Sequence, residues 1–242
     1  MLVGRDLETA HLAGLLTQAR HGSSASLVVH GEPGVGKSAL LETLVADAGE
    51  ALILRAQGLE VEAPLAFAAL HRLLLPVMRL REDLPGPQAR ALRVVFGEED
   101  GPQIEPFVVA VATLSMLTAA AEESTVVCIV EDAHWLDSAT ANALLFCARR
   151  LGADRVLMVF SARGGAPTPF DPDGIGALHL SGLDPAAARE LLDERLGDTP
   201  APEVTERPVR RAAATRWHYW NYRPSSASAS SAGPRPSRSS CT

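Results

Sequence analysis

The sequence predicts an α/β fold, a three-layer α/β/α sandwich around a mostly parallel sheet. Three observations predict it. Four apolar runs, "SLVVH", "ALILRAQ", "TVVCIVED" and "RVLMVFSAR", alternate with stretches of helical spacing. Each run is apolar throughout instead of at every second residue, the pattern of a strand covered on both faces. The chain is rich in Ala and Leu with only 5% aromatic residues, which disfavours an all-β fold. With 242 residues and 47% hydrophobic content, it is long enough to bury a sizeable core.

The elements follow in order. "DLETAHLAGLLTQAR", residues 6–20, has leucines near helical spacing and reads as a first helix. "SLVVH" is a buried strand running into glycines, and "KSALLETLVADA" is a helix starting at that loop. "ALILRAQ" is a second strand. Residues 65–82 and 103–121 read as helices, joined by a polar, Gly/Pro-marked connector over 83–102. "TVVCIVED" is a strongly apolar strand ending in acids. "SATANALLFCARRL" is a helix capped by Asp137 or Ser138. "RVLMVFSAR" is a further buried strand, "ALHLSGL" a short one, and "DPAAARELLDERL" a helix with proline near its first turn.

Charge divides the chain into two unlike parts. Residues 1–206 carry a net −14, and residues 207–242 carry seven arginines and no acid, for an overall −7. The acidic body is not an obvious nucleic-acid surface. Cys128, Cys147 and Cys241 show no CxxC and no metal spacing, so reduced thiols in a cytosol are expected. The N-terminus carries Arg5, Asp6 and Glu8 and no apolar signal core. The most apolar stretch, residues 106–121, is shorter than the about 20 residues that span a bilayer and reads as a buried helix. A cytoplasmic protein that makes no membrane contact is the expectation.

The chemistry concentrates in "GEPGVGKSAL". Lys37 is the only lysine in a chain that otherwise uses arginine, a bias that GC-rich coding produces. Gly31-Glu32-Pro33-Gly34-Val35-Gly36-Lys37-Ser38 fits G-x-x-x-x-G-K-[ST], with a strand before it and a helix after it. Glycines leave room for phosphate oxygens, and the loop N–H groups, through Ala39, point at the anion. Lys37 offers a compact ammonium to the β and γ phosphates, where arginine's planar fork does not fit. Ser38 offers a hydroxyl to Mg²⁺.

Glu131 and Asp132 end a buried strand, where ligands bind in open α/β sheets. Glu131 is placed in the Mg²⁺ shell and Asp132 beside an attacking water. The usual order in hydrolysing relatives is Asp then Glu. The shorter Asp132 in second place predicts slow or no hydrolysis. Arg163, just past "VLMVF", is a cation that can read the γ-phosphate and so distinguish ATP from ADP. His134 and Trp135 follow the acids and read as packing of the next turn, with a role in positioning water or relaying nucleotide state as the other reading.

Together these residues resemble the ATPase domain of large ATP-binding LuxR-type transcriptional regulators, in the signal-transducing branch of AAA-like P-loop NTPases. The matching stretches are "LVGRD", "GEPGVGKSALL", "LAFAALHRLLLP", "VEDAHWLD", "FSAR" and "LSGLDPAAARELL", within residues 1–206. The resemblance implies that Val3, Gly4 and Arg5 lie near the adenine. It implies ATP and Mg²⁺ as ligands, and a switch between closed and open states. It further implies that DNA is bound only through a C-terminal helix-turn-helix beyond a helical sensor region, neither visible here. Self-association is the other partnership open to such a domain. The alternatives are an active P-loop ATPase of another signalling protein, a P-loop kinase, for which no acceptor-substrate motif is present, and a DNA-binding protein acting through its tail.

The tail breaks the pattern. Residues 207–242 are Ser-, Pro-, Ala- and Arg-rich, a composition that cannot bury a core and reads as a disordered, low-complexity basic tail. In another reading frame, Trp217–Tyr222 forces Ala-Leu-Leu-Glu-Leu whatever the wobble bases, a string the family places at this point. A frameshift between Glu206 and Ala214 is therefore expected, leaving a truncated domain with an incomplete lid. The coding DNA checks it.

Overall fold

The computed structural model describes residues 2–164 and 168–196. The basic tail, its Trp217–Tyr222 cluster, Cys241 and the boundary at 206 lie outside the described residues. Five strands, β1 (Ala25–Gly31), β2 (Leu52–Gln57), β3 (Val126–Glu131), β4 (Val156–Ala162) and β5 (Gly176–Leu180), form one sheet. Their order is β2-β3-β4-β1-β5, and every pairing is parallel. The helices are α1 (Asp6–Arg20), α2 (Lys37–Asp47), α3 (Ala68–Leu74), α4 (Gly86–Val95), α5 (Pro106–Glu123), α6 (Ser138–Ala148) and α7 (Pro185–Leu196).

The two-residue period of a strand divides each apolar run between two cores. Val28, Leu54, Cys128, Val130, Met158 and Phe160 face one side, where α3, α4, α5 and α6 supply Leu70, Leu92, Met116 and Leu144. Leu27, Val29, Val127, Ile129, Leu157 and Val159 face the other, against Leu12 and Leu16 of α1 and Leu40 and Leu44 of α2. This is the expected α/β/α sandwich. Full burial of one such side chain is worth about 1.5–3 kcal/mol. A third, smaller cluster joins Leu183, Ala187, Ala188, Leu191 and Leu192 to Val3.

The region between β2 and β3 differs from the expectation. The single helix expected over 65–82 is broken. Phe67 takes a left-handed backbone (φ 64°), α3 ends at Leu74, and a 3₁₀ stretch with Pro76 near its start runs over Leu75–Asp83. The expected connector over 83–102 contains α4. Its Pro-Gly-Pro start is a helix entry, since a first-turn proline gives up an N–H that has no helical partner. Helix α5 begins at Pro106 and reaches Glu123, two residues beyond the stretch expected. By length and composition it is the one described helix able to cross a membrane. In the fold, Val109, Ala112, Met116, Leu117 and Ala120 are buried in the core, and the buried Thr113 hydroxyl donates to the Val109 carbonyl at 2.8 Å.

Cys128 and Cys147 are free and buried, and burial pushes the Cys128 thiol up to about 12. Helix α6 is capped by Asp137, not Ser138. Asp137 Oδ1 accepts from Thr140 N–H at 2.8 Å and from Phe67 N–H at 3.1 Å, tying α6 to the start of α3. One carboxylate thus meets a helix N-terminus and a strained backbone donor together.

Candidate functional site

The strand order brings three loops to one place. β3, β4 and β1 are neighbours, so their C-terminal ends carry Glu131-Asp132, Ala162-Arg163 and the glycine-rich loop side by side. Gly31 ends β1. A methyl group there would lie 2.8 Å from the Leu180 carbonyl and 2.8 Å from Val35 Cγ1, closer than real contacts allow. Glu32 and Pro33 form the exposed outer turn, where the Glu32 carbonyl accepts from Val35 N–H at 3.3 Å. Gly34 (φ 78°) and Gly36 (φ 104°) hold left-handed conformations that other residues rarely adopt. Val35 between them is buried against the α2 core, anchoring the loop from below.

The loop is thus curled with its donors outward. Among the described residues, the N–H groups of Gly34, Gly36, Lys37, Ser38 and Ala39 have no protein acceptor. Five undonated N–H groups around one helix start gather positive partial charge that suits an anion. Ser38 is exposed in the first turn of α2, with its hydroxyl accessible. The Ala39 carbonyl accepts from Thr43 Oγ1 within the helix.

Lys37 is only 8% exposed. Its ammonium donates to the carbonyls of Gly31 at 2.8 Å and Glu32 at 3.1 Å, bridging the base of the loop. Burial lowers its pKa, Asp132 and Glu32 oppose that, and Arg163 adds to it. Lys37, Asp132 and Arg163 therefore share one electrostatic neighbourhood.

The two acids diverge. Glu131 is half-buried at the end of β3, paired in register with Gln57 of β2, and its charge acts on Arg55. Asp132 turns the chain with a left-handed backbone (φ 49°). Its carboxylate accepts from Gln57 Nε2 at 3.1 Å, and its N–H donates to Ser161 Oγ at 3.1 Å. Of these two acids, Asp132 is the one whose charge acts on Lys37. Gln57 and Ser161 hold Asp132 in place, and nothing in their own sequence neighbourhoods marks that role. It follows from the register of three parallel strands. Arg163 is exposed one residue past β4.

The N-terminal residues form a strut. Arg5 is 3% exposed. Its guanidinium donates to Glu8 Oε1 at 2.9 Å, to the Val35 carbonyl in the glycine-rich loop at 3.3 Å, and to the Ser181 carbonyl after β5. Gly4 (φ 65°) lies so near α7 that a methyl group there would overlap Ala187 Cβ, and Val3 packs on the same helix. "VGR" and "SGLDPAAARELL", far apart in sequence, are one contact.

The sequence profile of one protein family, described as an AAA ATPase domain, matches residues 1–159. The chain belongs to the AAA ATPase domain family. No curated protein sequence matches it. Solved structures resemble this AAA ATPase domain at low identity, and two of them share its fold. A chain of the Drosophila ORC bound to DNA superposes with a TM-score of 0.55 at 17% identity, over 90% of this chain and 54% of that one. A chain of the E. coli MS115-1 HORMA:CdnC:Trip13 complex gives 0.53 at 17%, over 86% and 74%. A STAND protein with a tetratricopeptide repeat sensor from Pyrococcus horikoshii gives 0.49 at 18%, over 83% and 27%. The AAA ATPase domain described here spans about half the length of the ORC chain it resembles.

Proposed function

We propose that residues 1–206 form an ATP–Mg²⁺-binding switch with slow or no hydrolysis, belonging to a LuxR-type transcriptional regulator of the cytoplasm. The observation that carries the binding part is the buried Lys37 beneath five undonated N–H groups. A buried ammonium held, among the described residues, only by two neutral carbonyls, with Asp132 close by, suits an added anion.

On this reading the N–H groups from Gly34 to Ala39 cradle the phosphates and Lys37 contacts the β and γ groups. The Ser38 hydroxyl and the Glu131 carboxylate hold the cation. Mg²⁺ supplies charge neutralisation and a template for the phosphates. Asp132, braced by Gln57 and Ser161, orients water. Arg163 meets the terminal phosphate from solvent. Val3 and Gly4 border the base, and Arg5 joins the loop to the segment after β5. That strut supports the switch idea, because it links the phosphate loop to the segment between β5 and α7 through one side chain. DNA contact belongs to a part of the regulator outside these residues, and a second copy of the chain is a further partner.

A Mg-ATP titration of the purified chain by calorimetry, with Lys37→Ala beside it, tests the reading. Saturable binding in the wild type alone supports it. No binding in a folded wild-type chain would sink it. The braced Asp132 carboxylate favours a second reading, an ATPase that turns over, and sustained phosphate release would select that one.

A further inference from the structure

We propose that His134 recognises the terminal phosphoryl group of a bound nucleoside triphosphate and so separates triphosphate from diphosphate. The inference rests on the nucleotide-site reading above. His134 sits in a single 3₁₀ turn, Ala133–Trp135, directly after Asp132. Its backbone is pinned from two sides. Trp135 N–H donates to the Asp132 carbonyl at 2.8 Å, and the His134 carbonyl accepts from Thr168 Oγ1 at 3.0 Å. The ring leans on Trp135, with centroids 5.2 Å apart. These bonds hold the turn, and both ring nitrogens are covered, so the ring must rotate to meet a ligand.

The residue is 7% exposed, yet neither Nδ1 nor Nε2 has a hydrogen-bond partner among the described residues. A ring that served packing alone would need no nitrogens, and burying them unpaired destabilises the fold. Such a group calls for a partner that arrives from outside. The charges around the ring identify the partner's chemistry. Burial favours the neutral imidazole, Asp132 acts against that, and Arg163 and Lys37 add to it. The ring therefore shares its surroundings with the three charged groups assigned to the phosphates and the water. A neutral imidazole keeps one N–H donor, which suits an anionic phosphoryl oxygen. Lys37 and the loop N–H groups can hold a diphosphate as well as a triphosphate. Arg163 is exposed, so water weakens its discrimination. A buried donor works at lower dielectric, and its turn directly follows Asp132, which is assigned to the water that attacks the terminal phosphate.

The test is calorimetric titration of the full chain with Mg-ADP and with the Mg complex of a β,γ-imido ATP analogue. The wild type is expected to prefer the triphosphate. His134→Phe keeps the ring and removes both nitrogens. It should lose about tenfold in triphosphate affinity, the size of one hydrogen bond, with less than about a twofold change for ADP. Its melting temperature should hold or rise, since an unpaired buried polar group is gone. His134→Gln, which retains an N–H donor, should keep a preference above that of the phenylalanine variant. A His134→Phe chain with the wild-type affinity ratio would overturn the inference, as would equal preferences in the two variants. If His134→Phe does not fold, His134→Leu decides by the same ratio. A wild-type chain that binds neither nucleotide overturns the nucleotide-site reading, and this inference with it. Binding of both at a ratio untouched by His134 overturns this inference alone.

Discussion

Asp132 shows how one residue is placed by three strands. Its left-handed backbone would cost about 1–3 kcal/mol if nothing held it. Ser161 and Gln57 hold it, from the ends of β4 and β2. Asp132→Ala removes the carboxylate but leaves the loop and Lys37 intact. Mg-ATP binding by calorimetry should persist, and any phosphate release in a colorimetric assay should fall at least about tenfold, within the range general-base removal produces. Loss of binding in this variant would show that the acids are wrongly assigned. Lys37 and the loop were legible in the sequence, because their spacing is local and the strand-loop-helix context is contiguous. Gln57, Ser161 and the bridging action of Arg5 were not. Their partners lie 75, 29 and 176 residues away, and no local pattern encodes such pairings.

At the scale of elements, the caps and entries decide what forms. Asp137 serves two donors, Thr140 N–H in α6 and Phe67 N–H before α3. Asp137→Ala leaves the buried Thr140 N–H and the part-buried Phe67 N–H short of an acceptor and should lower stability by about 1–3 kcal/mol, read as a lower urea midpoint at unchanged slope. Gly4 makes the matching case for α7. Gly4→Ala must strain a positive φ and displace Ala187. A loss of about 1–3 kcal/mol in the same urea assay is expected. The capping residue was one of two expected from local spacing. Helix α4 was missed because Pro85-Gly86-Pro87 reads as a turn by composition, while its buried Ala89, Ala91 and Leu92 show that packing carries the helix.

The sheet as a whole has one edge with a pH dependence built in. His30 of β1 and His179 of β5 are register partners, and their rings stack with centroids 5.3 Å apart. Burial, the His179 ring and Lys37 lower the His30 pKa below its ordinary 6.5. His134 is shifted the same way, chiefly by burial. A histidine held neutral in the fold binds fewer protons there than in the unfolded chain, so its contribution is present above the unfolded value and fades as pH falls below it. The urea midpoint should therefore drop between pH 7.5 and 5.5, and His30→Asn should shrink that drop. An unchanged slope in the variant would remove His30 as a cause. The lowered carboxylates of Glu42, Glu98 and Glu99 lose their contribution only at more acid pH, near and below their ordinary 4.5.

The sequence by itself determined the layers, the parallel sense of the strands and the glycine-rich loop between β1 and α2. Each of these follows from periodicity or spacing within some twenty residues, where local sterics and burial act directly. Only the tertiary structure decided the strand order β2-β3-β4-β1-β5, the brace on Asp132 and the Arg5 strut to Ser181. It also decided that His134 is buried with both nitrogens unpaired among the described residues. Those depend on which distant strands pair and in what register, a choice made by the summed burial of both faces of the sheet. No single segment carries enough of that energy to announce it.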